Sequence, residues 1–146
     1  MPLKTKISFA CYLSLAVLVT GMAGIYLFSS RLLPYHQEIL GVTWEQLQPG
    51  YQLIFLGFFK IAGALCLASV IAMLFLLFIP FRRGEVWARW AIPIFQLPSL
   101  IALNYVPLKV VMTTNAHPPL AVFFVGDALL IAGFLFSLDM GKSSQK

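Results

Sequence analysis

This sequence predicts an all-α membrane protein: a four-helix transmembrane bundle with both termini cytoplasmic, formed by residues 1–146 as a single domain. Three observations carry that prediction. The 146 residues are 60% hydrophobic and 10% charged, with a mean hydropathy of +0.90, a surface that no soluble domain of this length tolerates. Apolar runs at about 7–30, 51–81, 91–112 and 119–138 each have the roughly 20 residues needed to cross a hydrocarbon core. The formal charge of +5 comes from a few basic residues beside those runs, where they act as orientation signals; nucleic acid is excluded as a partner.

The first run, ISFACYLSLAVLVTGMAGIYLFSS, follows the basic segment MPLKTK. It is about twice the length of a signal-peptide core, and GMAG is a poor cleavage site, so a retained helix is expected. Ala10, Ser14, Val17, Gly21 and Gly24 recur at helical spacing, which predicts a narrow face for close approach of another helix. The polar interval 31–50 contains TWEQ, the form of a capping box, and predicts a short surface helix before Pro49-Gly50. Tyr35 and Trp44 suit the headgroup layer.

The second run ends at FRRGEVWARW, a basic interfacial turn with Arg82, Arg83 and Arg89. Glu85 within it reads as solvated. The third run carries Pro93, Pro98 and Pro107; each removes a backbone hydrogen bond, so a kinked helix with freed carbonyls is expected. Gln96 is placed to serve the carbonyl freed near Pro98. The fourth run ends near Leu138, and the tail DMGKSSQK is polar and expected to be mobile.

Orientation follows from the cations. Lys4, Lys6, Arg82, Arg83, Arg89, Lys142 and Lys146 share the side of the termini, which the positive-inside rule makes cytoplasmic. The expected setting is a bacterial inner membrane. Cys11 and Cys66 lie inside apolar runs without CxxC spacing and read as small buried hydrophobes.

Lys60 and Asp127 are the charges that interrupt these runs most deeply. Counted from the outer ends of their helices, each lies about nine residues in, or about 13 Å. Asn104 falls about eight residues below the same surface and Thr20 about nine, by the same count. One polar group per helix at one depth predicts a buried Lys60–Asp127 pair joined by Asn104 and Thr20. Gly57, Gly63, Ala64 and Ala68 share the face of Lys60 and argue that it points inward. A charge in mid-membrane costs about 2.5 to 3.5 kcal/mol, which an opposite charge at the same level offsets. Three uses of these residues stand open: a snorkelling lysine beside a neutral aspartate, an ion pair that docks two helices, and a functional pocket.

Lys109, one turn from a helix end, is expected to snorkel. His36, Glu38 and His117 lie in the two outer loops; solvated polarity is favoured there over a metal site. Zinc-protease, P-loop and G-x-S-x-G motifs do not occur, and no catalytic residue is assigned.

Across FIPFRRGEVWARWAIP and TTNAHPPLAVFFVGDALLIAGFLFS the chain resembles small bacterial four-helix integral membrane proteins and, more distantly, the DoxX-like group. The likeness runs over most of the chain from about residue 30. It implies a compact four-helix bundle; some DoxX-like members are linked with quinone or sulfur-compound oxidation. No catalytic motif of that group maps onto a residue here.

The functional expectation is an accessory or binding protein whose polar layer, Lys60, Asp127, Asn104 and Thr20, receives the head of a lipid, quinone or other apolar molecule. The alternatives are a small proton-coupled transporter working as an oligomer, with Asp127 as proton carrier, and a purely structural scaffold. Partners are then the bilayer, a second copy or another membrane subunit. No cofactor is assigned.

Overall fold

The computed structural model describes residues 2–139. The tail beyond Asp139, with Lys142 and Lys146, lies outside the described residues. Among the described residues five α-helices form: α1 (Leu3–Phe28), α2 (Pro34–Leu40), α3 (Pro49–Leu76), α4 (Ala88–Thr113) and α5 (Leu120–Ser137). All but α2 are long and apolar enough to cross a membrane. Large apolar side chains such as Val17, Leu53, Leu65, Ile94, Ile101 and Leu135 stand exposed around the bundle. Only hydrocarbon accepts a surface of this kind on every side. The protein is a multi-pass membrane protein in contact with the bilayer.

Each boundary has a local cause. The first helix begins at Leu3, four residues earlier than expected, so Lys4 and Lys6 ride on its first turns. Pro34 opens α2 at a position that has no N–H to satisfy, and Gly41, at φ 66°, closes it in the left-handed region. TWEQ supplies the predicted reach-back, with the Thr43 N–H donating to Gln46 Oε1 at 2.9 Å. It forms only a 3-10 turn over Trp44–Gln46; the surface helix is α2, nearer α1. The end of α3 widens into a π-helical turn, Leu77–Phe81, around Pro80, which cannot donate to the carbonyl four residues back. Gly84 then reverses the chain at φ 78°.

In the bundle α1 packs along both α3 and α5, while α4 touches those two more thinly. The helices α3 and α5 therefore lie on one diagonal and α1 and α4 on the other. The half nearest the chain ends is a dry core of Tyr12, Leu15, Val70, Met73, Phe81 and Ile92, among others. Tyr12 meets Phe81 edge-on at 5.8 Å and lies over Gly133, where an added Cβ would fall 2.7 Å from its ring. Ser8 Oγ donates to the Gly133 carbonyl at 2.5 Å. Lys4 Nζ meets Asp139 Oδ2 at 2.5 Å, and Arg89 Nη1 donates to the Leu138 carbonyl at 3.0 Å. These contacts bring the start of α1, the start of α4 and the end of α5 together on one face.

The small face of α1 is corrected. Ala10, Ser14, Val17 and Gly21 are exposed, and nothing lies within 4 Å of a Cβ added at Gly21 or Gly24. The buried face is instead Thr5, Ser8, Tyr12, Leu15, Ala16 and Ala23. Close approach between α1 and α3 is made by Gly63, whose added Cβ would meet Leu27 Cγ at 2.8 Å, the Leu27 nitrogen at 2.9 Å and the Ala23 carbonyl at 3.0 Å. Ala64 and Ala68 face outward, so only part of the small surface around Lys60 is packed.

Candidate functional site

Lys60 and Asp127 do not pair. The Lys60 ammonium donates to the backbone carbonyls of Leu27 and Ser29, the latter at 2.8 Å. These carbonyls sit at the C-terminal end of α1, where they have no partner within the helix and where the helix dipole favours a cation. The α1 helix also serves as a ruler. Lys60 lies beside Leu27, whereas Gly126, next to Asp127, lies against Leu18 and Leu15. Leu27 and Leu18 are nine residues apart, so the two charges differ in depth by about 13 Å.

The error in the depth count has a physical cause. With its π turn, α3 runs for 33 residues, Pro49–Phe81, or about 50 Å, well beyond a core of about 30 Å. Its first turns project past the end of α1, so counting from Tyr51 places Lys60 too deep. The diagonal placement of α3 and α5 separates the charges further.

Thr20 also leaves the predicted layer. It is exposed and its hydroxyl donates back to the Ala16 carbonyl at 2.7 Å, a bond available within its own helix.

Asn104 and Asp127 do meet. The antiparallel helices α4 and α5 are joined by a short loop, so residues at similar distances from that loop come level. Asn104 Nδ2 donates to Asp127 Oδ1 at 3.0 Å and to the Leu100 carbonyl at 2.9 Å. Both neighbours of this nitrogen are acceptors, which fixes the orientation of the amide. Both residues are half-buried.

These two groups border a cleft at the centre of the bundle to which all four long helices contribute. It is lined by Leu15, Leu18, Val19 and Met22 of α1, Cys66 and Ser69 of α3, Gln96, Ser99, Leu100, Leu103 and Asn104 of α4, and Val122, Phe123, Gly126 and Asp127 of α5. Counting the open space at its mouth it spans about 500 Å³ between atoms, of which about 40 Å³ is wide enough for water. That is room for about three or four water molecules at roughly 10–15 Å³ each. Asp127 is the one formally charged group in its lining.

Gln96 has a different partner from the one expected. Its Oε1 accepts from Ser69 Oγ at 2.9 Å, and its Nε2 donates to the Ser69 carbonyl at 3.3 Å, tying α4 to α3 with both residues buried. Sequence reasoning missed Ser69, Ser99 and Cys66 as cleft residues. The signal was present in α4: Gln96, Ser99, Leu100, Leu103 and Asn104 follow the i, i+3, i+4, i+7, i+8 pattern of one helix face.

The outer loops form a separate layer. Glu38 Oε2 accepts the His117 N–H at 2.9 Å and lies 3.7 Å from His117 Nδ1, joining the two loops. His36 is instead packed with Tyr35, Tyr26 and Phe59, at ring separations of 3.9, 6.4 and 4.8 Å. The Tyr26 and Tyr35 hydroxyls share a hydrogen bond at 3.0 Å. Among the described residues, no group of three or more His, Cys, Asp or Glu could hold a metal ion. At the basic turn, Glu85 Oε2 accepts from the Trp87 indole at 2.6 Å. Lys109 is exposed.

Compared with protein-family models, with curated proteins and with solved structures, the chain matches none.

Proposed function

We propose that this chain is a membrane binding protein whose central cleft receives the polar head of a lipid, quinone or other apolar molecule at Asp127 and Asn104. The observation that carries this reading is an aspartate placed among four apolar helices with no cation beside it among the described residues. Asn104 satisfies one of its oxygens, and the cleft lies against it. A carboxyl group at this depth is costly to keep, and a site for a ligand head is one reason to keep it. Native mass spectrometry of the gently extracted protein tests the reading. A small apolar molecule should co-purify with the wild type and with Lys60→Ala, and be lost in Asp127→Ala with membrane insertion intact. Full retention by Asp127→Ala overturns it.

A second reading, a small proton-coupled transporter working as an oligomer, gains from the same observation. With Lys60 at the end of α1, no ammonium stands in the way of a proton or cationic substrate at Asp127. Flux in proteoliposomes that ignores both pH and Asp127→Asn would reject it. A docking clamp between α4 and α5 is the structural alternative; it predicts that Asp127→Asn, which keeps an acceptor for Asn104, behaves as the wild type in every respect. The bacterial inner membrane, cytoplasmic termini and a DoxX-like relationship belong to this proposal as well.

A further inference from the structure

We infer that the molecule received by the cleft carries a hydrogen-bond-donating, cationic head: a protonated amine on a single apolar chain. This rests on the binding reading above and narrows its ligand class.

The inference comes from counting donors and acceptors around the cleft. Asn104 uses both amide hydrogens, on Asp127 Oδ1 and on the Leu100 carbonyl. Its own oxygen remains an acceptor with no hydrogen bond among the described residues. Ser69 spends its hydroxyl hydrogen on Gln96, and Gln96 spends one amide hydrogen on the Ser69 carbonyl. What remains on the donor side is neutral: the second amide hydrogen of Gln96, the Ser99 hydroxyl and the weakly donating Cys66 thiol. On the acceptor side are the second oxygen of Asp127 and the oxygen of Asn104, on two side chains already joined by a hydrogen bond. The corner around Asp127 therefore offers acceptors and one negative charge.

Such a corner discriminates by chemistry. A head with only carbonyl oxygens, such as an oxidised quinone, would place acceptor against acceptor. A carboxylate or phosphate would add like charge in a low dielectric. An ammonium meets the free oxygen of Asp127 with a charge-assisted hydrogen bond. The apolar chain has the leucine, valine and methionine wall of the same cleft to lie against, beside α4, the most thinly held of the four long helices.

The test uses full-length protein in phosphatidylcholine nanodiscs at neutral pH and photoreactive single-chain alkyl probes that differ only in an ammonium, alcohol or carboxylate head. Peptides containing Gln96–Asn104 and Val122–Asp127 should be labelled about tenfold more by the ammonium probe than by the carboxylate probe, the factor expected of one charge-assisted bond. The alcohol should fall between. Asp127→Asn, which retains an acceptor for Asn104, should remove the preference. Equal or stronger cleft labelling by the carboxylate probe, or labelling by the alcohol equal to that by the ammonium, overturns the cationic head and leaves the cleft as a binding site. Absence of cleft labelling by every probe overturns both. The comparison of heads is made in the wild type and does not depend on any variant folding.

Discussion

The ammonium of Lys60 has two end-of-helix carbonyls within reach, so its worth lies in closing α1. Lys60→Met keeps the stem and removes the donor; it should cost about 1 kcal/mol in unfolding free energy, read by denaturant titration in mixed micelles, with ligand retention unchanged. At His36 the governing effect is burial. Enclosed by Tyr35, Tyr26 and Phe59, with Nδ1 unbonded, the imidazole is pushed down from its ordinary 6.5 to about 4 because charging it there forfeits hydration. The unfolded chain binds the proton more readily between those values, so stability is full above pH 6.5 and falls as pH drops toward 4. Hydrogen-exchange protection of the α2 amides should decline over that window in the wild type and stay flat in His36→Phe. Of the site residues, Asn104 and Asp127 were legible as lying level because a short loop makes their depths countable; that they bond to each other, and not through Lys60, was not. Lys60 and Thr20 were misplaced because a long helix can overhang its neighbour, and because a threonine can bond to its own helix.

For the elements, glycine separates contact from open surface in a way that its letter does not. A Cβ at Gly63 would press on the backbone nitrogen and carbonyl of α1, which cannot move aside as a side-chain tip can. Gly133 has the Tyr12 ring in the same role. Gly63→Ala and Gly133→Ala should each destabilise by about 1 to 3 kcal/mol, whereas Gly21→Ala and Gly24→Ala, which meet open space, should be neutral or slightly stabilising. Thermal unfolding of the four variants in one detergent checks both halves of that contrast. The pattern also explains why the small face of α1 misled: Ala10, Ser14, Val17, Gly21 and Gly24 permit close approach, but permission does not supply a neighbour. The Gln96–Ser69 pair joins α4 to α3 across the membrane interior. Gln96→Leu should cost about 0.6 kcal/mol, the average for such bonds, and no more than about 1.7, because the unfolded chain in the membrane also finds partners for its polar groups.

At the scale of the whole molecule, the starts of α1 and α4 and the end of α5 share one face, and the loops that carry Glu38 and His117 meet on the other. Cytoplasmic termini then require the basic turn to be cytoplasmic too. A single cysteine at Arg83, in a chain with Cys11 and Cys66 replaced by serine, should react with a membrane-impermeant maleimide in inverted vesicles and resist it in right-side-out ones, with the reverse for a cysteine at Ser30. The sequence by itself determined that the chain crosses the bilayer four times, where each crossing roughly lies, and that Asn104 and Asp127 come level, because hydropathy, proline and loop length act locally along one chain. Which helices are neighbours was decided only in three dimensions: α1 takes α3 and α5, so Lys60 and Asp127 fall on opposite corners at different depths. Hydrocarbon rewards burial of any apolar face alike. The choice among faces comes from a few close fits, Gly63 against Leu27 and Gly133 against Tyr12, that no periodicity in the chain announces.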